Sequence, residues 1–181
     1  QPDGKFVAVC TQPDRPKGRK RKLTPSAVKV CAEKLGIPVL DPEKISTATD
    51  QLEELDPDIA VVFAYGQYLP ESVFELPVHG SINFHPSLLP KFRGASPIQS
   101  SLLAGLTESG ISVLQVSKEM DAGDVLYQHP LEFDPQDNSE TLHEKFAKLA
   151  SELVPEIMEG LRSESLEPVP QSEEDAPECR K

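Results

Sequence analysis

After Asp58 the chain runs Ile59-Ala60-Val61-Val62-Phe63-Ala64, with no polar residue to mark a solvent face. So short and uniform an apolar run is the pattern of a strand covered on both sides, as inside a parallel sheet. Parallel neighbours need long crossovers, usually helices. The rest of the chain supplies strands and helices in alternation. Residues 5–10 predict a buried strand and 37–40 a short one; between them residues 11–23 form a polar loop punctuated by Pro13, Pro16 and Gly18. Thr24-Pro25 reads as an N-cap with proline at the first helical position, opening a helix over 25–35 that carries Val28, Cys31, Ala32 and Leu35 on one face and stops at Gly36. A helix is expected near 47–55 and a short one over 70–76. Strand 80–84 leads into a loop over 85–95. Ser96-Pro97-Ile98-Gln99 has the form of a capping box, and the helix it opens ends near Gly105. Strands over 110–116 and 124–133 follow. A helix over 139–162 then presents Leu142, Phe146, Leu149, Leu153, Ile157 and Leu161 as one stripe, with Pro155 expected to kink or break it. The fold class expected is α/β, an open, mostly parallel twisted sheet with helices on both faces. Residues 1–162 form the domain and the polar, proline-rich 163–181 a linker.

Length and charge narrow the function. A chain of 181 residues is enough for one domain with a real core. No run approaches a membrane span, and the N-terminus has no signal-peptide pattern. The first residue is not Met and stands almost inside a strand, so a fragment is expected. Cys10, Cys31 and Cys179 are an odd set without Cys-x-x-Cys spacing. That argues against a disulfide framework or a zinc site, and Cys10 and Cys31 read as buried, inert thiols in a reducing compartment. Net charge is −12, which repels nucleic acid. Against that field, Arg15, Lys17, Arg19, Lys20, Arg21 and Lys22 concentrate six of the 18 basic residues just before a helix start. A charge run is often merely solvated; here it also fits a grip on a phosphate backbone. Few aromatics interleave, so base stacking is not indicated.

The segment Ser81-Ile82-Asn83-Phe84-His85-Pro86-Ser87-Leu88-Leu89-Pro90-Lys91-Phe92-Arg93-Gly94 carries most of the chemistry. Alternate strand residues share a face, so Asn83 and His85 lie side by side, and Pro86 ends the ladder. Alone, an Asn-x-His pair is more often structural than functional. This one sits at a strand end, where α/β sheets bind ligands, and an amide with an imidazole can stabilise an oxyanion. Asp121 and Asp124 lie in a turn with Gly123, and pattern alone does not choose between them or exclude a turn-capping role. On a neighbouring strand, either carboxylate can orient the imidazole and raise its pKa. Gly66, in Ala64-Tyr65-Gly66-Gln67-Tyr68, permits backbone to approach a flat ligand, and the tyrosines can line its pocket. His79, His129 and His143 are scattered; no metal is expected.

These motifs together resemble the methionyl-tRNA formyltransferase family. They are Thr11-Gln12-Pro13-Asp14-Arg15-Pro16 with its basic loop, Ala64-Tyr65-Gly66, Asn83-Phe84-His85-Pro86-Ser87-Leu88-Leu89-Pro90 with Arg93-Gly94, and Met120-Asp121-Ala122-Gly123-Asp124. The likeness covers nearly all of 5–162. It implies a Rossmann-like formyltransferase fold and transfer of the formyl group of 10-formyltetrahydrofolate to the amino group of methionyl-tRNA. It places the catalytic roles on Asn83, His85 and Asp121, the folate around Ser87, Leu88, Leu89, Pro90, Tyr65 and Gly66, and the tRNA acceptor arm on the loop 13–22 with Arg15, Lys17, Arg19, Lys20, Arg21 and Lys22. By the same resemblance the family's first strand and helix lie before Gln1 and its C-terminal β-barrel beyond Lys181. A monomer in the bacterial cytoplasm or an organellar matrix is expected. The rival readings are a 10-formyltetrahydrofolate hydrolase, a formyltransferase for a sugar nucleotide or purine precursor, and a non-catalytic folate- or RNA-binding module.

Overall fold

A computed structural model of the chain describes residues 4–18, 21–172 and 179. They divide into two compact units, one of residues up to 60 with 65–80, the other of 61–64 with 81 onward. Arg19 and Lys20 lie outside the described residues.

In the first unit β1 (Val9–Cys10) is followed by a structure the sequence did not announce. Where a long loop was expected, β2 (Arg15–Lys17) and β3 (Lys22–Thr24) pair antiparallel, with Lys17 opposite Lys22 and Arg15 opposite Thr24. Alternation over three residues of charged and small side chains is too weak a period to read as a strand. The Thr24 hydroxyl donates to the Lys22 carbonyl within β3 and does not cap the helix. That role falls two residues later. Ser26 precedes α1 (Ala27–Lys34), accepting the Lys29 N–H at 3.0 Å and sharing a 2.7 Å hydrogen bond with the Thr11 hydroxyl. The chain then returns to pair β4 (Val39–Leu40) with β1 in parallel. Lys29 reaches both Asp14 and Asp41, at 2.9 and 2.7 Å, and ties the turn after β1 to the end of β4. The two hydrogen bonds, Asp41 first and Asp14 second, push the Lys29 ammonium well above its ordinary pKa. Of the stripe expected on α1 only Ala32 is buried; Val28, Cys31 and Leu35 are exposed. Helical spacing says which residues share a face and not what covers that face. Cys10 is half-buried, and burial raises its thiol pKa. A 3-10 turn (Ile45–Thr47) and α2 (Thr49–Glu54) stand where the helix near 47–55 was expected.

The strand expected over 58–64 forms as β5 (Ala60–Val62), which ends the sheet. Val61 on it is 44% exposed and Phe63 just beyond it 45%, so the run does not lie covered on both faces. After α3 (Glu71–Phe74) come β6 (Ser81–His85), α4 (Pro97–Leu103), β7 (Glu108–Gln115), β8 (Val125–Glu132) and α5 (Ser139–Arg162). The strand order is β5-β6-β7-β8, with β6–β7 and β7–β8 antiparallel. With β1 and β4 parallel in the first unit, strand directions are mixed within an α/β fold. The connection from β7 to β8 is too short for a crossover, so these strands pair as a hairpin. Pro97 opens α4 as expected, but Ser96 makes no side-chain cap bond to its backbone, so the capping box does not form.

The core of the second unit gathers Ile82, Phe84, Ile111, Val113 and Leu114 from the sheet with Leu142, Phe146, Leu153 and Ile157 from α5. Asn138 caps α5 in a reciprocal box with Thr141. The helix is continuous through Pro155. An interior proline costs about 3 kcal/mol, whereas fully burying an aliphatic side chain contributes about 1.5–3 kcal/mol. Leu153 and Ile157, buried on either side of Pro155, offset the loss. Beyond Ser163 the chain packs back on this unit: Leu166 lies against Gly160, and Val169 exchanges two 2.9 Å backbone hydrogen bonds with Val125. No helix among the described residues is long and apolar enough to cross a membrane.

Candidate active site

Strand β6 delivers Asn83 and His85 to one face by its period of two, and its register with β7 sets Asn83 opposite Leu114 and His85 opposite Ser112. The turn before β8 brings Asp121 to the same place. Asn83 Nδ2 donates to Asp121 Oδ1 at 3.3 Å, and Asp121 Oδ2 lies 3.5 Å from His85 Nδ1. A second donor, the Gly94 N–H, reaches the same Oδ2 at 2.9 Å. The structure thus brings Asn83, His85 and Asp121 together. It is the Asp121 carboxylate that meets the imidazole, while the Asp124 backbone carbonyl accepts from Gln115.

His85 is buried, and its Nε2 lies 2.8 Å from the Phe92 carbonyl. A carbonyl only accepts, so Nε2 carries the proton. Nδ1 then faces Asp121. Both ring nitrogens are turned toward oxygen atoms. The Asp121 side chain is 13% exposed, and the trio is shielded from bulk water without being sealed. Among the described residues no group of three or more His, Cys, Asp and Glu has the geometry of a metal site.

Two backbone features fix this arrangement. Asp121 has φ +53, a left-handed conformation unusual outside glycine. Gly123, two residues on, is pressed against β7: a Cβ there would stand 1.9 Å from the Gln115 carbonyl oxygen. Across the site, Phe92 has φ +59 and Gly94 φ +110, so the 92–94 turn folds over His85 and offers it a carbonyl while offering Asp121 an N–H.

The turn 86–91 is built from inside. Ser112 Oγ on β7 donates to the Ser87 carbonyl at 2.7 Å and accepts from the Leu89 N–H at 2.9 Å and Gln128 Nε2 at 2.8 Å. Gln128 Nε2 also reaches the Leu89 carbonyl, and Ser87 Oγ donates to the Lys91 carbonyl. Ser87 and Leu89 are buried, so their side chains shape the turn, while Leu88 and Pro90 are partly accessible. Tyr65 and Gly66 lie in the first unit, where the Tyr65 carbonyl accepts from Gln12 Nε2 at 2.7 Å and Gly66 has φ +79. The Tyr65 hydroxyl is buried with no hydrogen-bond partner among the described residues, and burial pushes its pKa up to about 12. Arg15, Lys17, Arg21 and Lys22 are exposed on the hairpin, and Arg15 pairs with Glu43 at 3.2 Å.

Sequence reading missed Ser112 and Gln128, and gave no role to Phe92 and Gly94 although it quoted their segment. A buried serine at the middle of a strand otherwise apolar, Ile111-Ser112-Val113-Leu114, is the one local signal among them. The others act through backbone atoms or from far along the chain.

Residues 1–158 match the family described as formyl transferase, by the model of its N-terminal part. A methionyl-tRNA formyltransferase of Geobacter metallireducens is 46% identical over 158 residues, covering 86% of this chain and 51% of that protein. The chain spans about half the length of the curated relatives it matches. Among solved structures, phosphoribosylglycinamide formyltransferase of Bacillus halodurans superposes with a TM-score of 0.70 at 25% identity, covering 78% of each chain. Methionyl-tRNA formyltransferase of Clostridium thermocellum gives 0.61 at 19% identity over 84% of this chain and 66% of that one, which speaks to the fold.

Proposed function

The chain belongs to the formyl transferase family, and on that premise we propose that it carries formyl transfer from 10-formyltetrahydrofolate to the amino group of methionyl-tRNA. The observation that carries the reading is the convergence of Asn83, His85 and Asp121 with hydrogen-bonding groups matched to an acyl transfer.

The reaction needs an amine to attack the formyl carbon while charge gathers on the formyl oxygen; the oxyanion then collapses, the bond from the formyl carbon to N10 breaks, and N10 takes up a proton equivalent to the one the amine gives up, releasing tetrahydrofolate. An amide nitrogen has two hydrogens. Asn83 gives one to Asp121 and has the second for that oxygen. The His85 Nε2–H, held here by the Phe92 carbonyl, is the donor the ring has to offer. The Asn83 N–H is fixed before the reaction and costs no reorganisation when charge develops, whereas the Nε2–H must leave the Phe92 carbonyl to join it. Asp121 orients the imidazole, balances positive charge on it and, directly or through water, takes the amine's surplus proton. In the turn 86–91 the accessible Leu88 and Pro90 are the residues assigned to the folate, and Ser87 and Leu89 support that turn from beneath.

Support for the tRNA as acceptor comes from the hairpin. Like charges directly opposite on paired strands destabilise them, yet Lys17 faces Lys22. A polyanion passing over the hairpin turns that cost into binding. A sibling formyltransferase acting on a small amine shares the trio but has no use for those cations. The deciding experiment presents the chain with 10-formyltetrahydrofolate and compares charged initiator tRNA, water and small amines as acceptors. Formyl-methionyl-tRNA as the dominant product is expected; preferential formate release or small-amine formylation overturns the proposal.

A further inference from the structure

Gln171 lies beyond the last helix, in a segment whose sequence reads as a linker, yet its side chain joins the two turns that make the site. Its Nε2 donates to the Asp121 carbonyl at 2.9 Å and to the Gly123 carbonyl at 2.7 Å, while its Oε1 accepts from Arg93 Nε at 2.9 Å. The amide can be oriented only one way: its nitrogen must meet the two carbonyls and its oxygen the guanidinium. The backbone beneath is not loose, because the Val169–Val125 pair pins it to the start of β8.

We propose that Gln171 is a positioning residue for Asp121, an inference that rests on the formyl-transfer reading for its effect on rate. Asp121 is held at φ +53, a conformation an aspartate abandons readily unless its neighbours over-determine it. The two bonds from Gln171 grip the peptides on either side of Ala122 and keep the carboxylate aimed at His85 and Asn83. The bond to Arg93 fixes the distance from this turn to the 92–94 turn, whose Gly94 N–H completes the carboxylate's partners. Loss of the amide lets Asp121 relax toward an ordinary backbone and withdraws the carboxylate from Nδ1. The residues assigned to holding the folate and the tRNA are left in place, so the change falls on the chemical step.

Two substitutions separate the contributions. Gln171→Glu keeps an acceptor for Arg93 but sets a carboxylate against two carbonyl oxygens; Gln171→Ala removes all three bonds. Both are expected to lower kcat by about tenfold to a hundredfold, the range for support residues and small misplacements, with KM for both substrates within about twofold. The His85 ring ¹⁵N resonances, read in the full chain without substrate, are expected to shift in both variants because Nδ1 loses its carboxylate. If the ring resonances match wild type in both, the positioning role is wrong whatever the enzyme does. A lower melting temperature with kcat unchanged below the transition also overturns it. Shifted resonances in a chain that formylates no tRNA uphold the positioning and count against the assigned reaction alone.

Discussion

Nδ1 of His85 stands 3.5 Å from Oδ2 of Asp121, and the same oxygen takes the Gly94 N–H at 2.9 Å. The carboxylate is thus shared between the imidazole and the turn that covers it. Position and charge are supplied by different groups: Gly94 and Asn83 hold the carboxylate still, and the carboxylate in turn holds the ring.

Asp121→Asn keeps an oxygen for the Gly94 N–H but removes the charge and the proton acceptor. The expected result is a kcat lower by about 10²–10⁴, the usual contribution of a positioned acid or base, with an unchanged circular dichroism spectrum. His85→Ala should fall in the same range. A loss below about tenfold in either would leave the trio without a catalytic role.

Gly123→Ala tests the wall behind Asp121. A methyl group at 1.9 Å from the Gln115 carbonyl oxygen meets backbone on an inner strand, which cannot swing aside as a side-chain tip would. Destabilisation on the order of 3 kcal/mol is expected from forced overpacking of this kind, read from urea denaturation. Activity below the melting transition should also drop, because the strand and the Asp121 turn can only separate together. Native stability in this variant would mean the turn is free to move.

How far the chain could be read from its letters depends on what each signal encodes. Period and punctuation placed β6, β7, β8 and α5 within a residue or two, because long periodic segments declare their own type. The pairing Asn83-x-His85 declared its shared face for the same reason. Strand direction was not legible: β7 and β8 pair antiparallel in a stretch whose helix content argued for parallel neighbours. Nor was cover. Val28, Cys31 and Leu35 form a helical stripe that stays exposed, and Val61 on β5 and Phe63 just after it stay exposed too. Gln171 was invisible because its partners are carbonyls of Asp121 and Gly123, and backbone atoms leave no mark in a sequence. Spacing alone left Asp121 and Asp124 open; the family resemblance put the role on Asp121, and in the fold it is the Asp121 carboxylate that lies beside His85 Nδ1.

Asp137, just before α5, sets an acid limb on stability. The Lys145 ammonium hydrogen-bonded to it at 2.6 Å, with the Asp134 N–H and the Thr141 hydroxyl, holds its carboxyl below the ordinary carboxylate range. A depressed folded-state pKa contributes stability above the unfolded value, about 3.9 for aspartate, and that contribution is lost as pH falls through the folded-state value. The melting temperature of the wild type should therefore drop as pH falls below about 4. Asp137→Asn should begin lower at neutral pH and lose less on acidification, so the two curves converge. Parallel curves from pH 7 to pH 3 would exclude Asp137 as the titrating group.

The hairpin cations should act as a backbone grip. Lys17 and Lys22 face each other across β2 and β3 in solvent, whereas Arg15 has part of its charge taken up by Glu43. Replacing Lys17 and Lys22 together with Ala should weaken tRNA binding and reduce the slope of log affinity against log salt by about 1–2, close to one for each phosphate no longer neutralised. Arg15→Ala should cost less than either lysine, because its removal also frees a carboxylate that repels phosphate. Folate affinity should not move in any of them, and the paired-lysine variant should melt no lower than wild type, since it relieves a like-charge repulsion. An unchanged salt slope with unchanged affinity would remove the hairpin from the tRNA surface and hand the acceptor question back to the small amines.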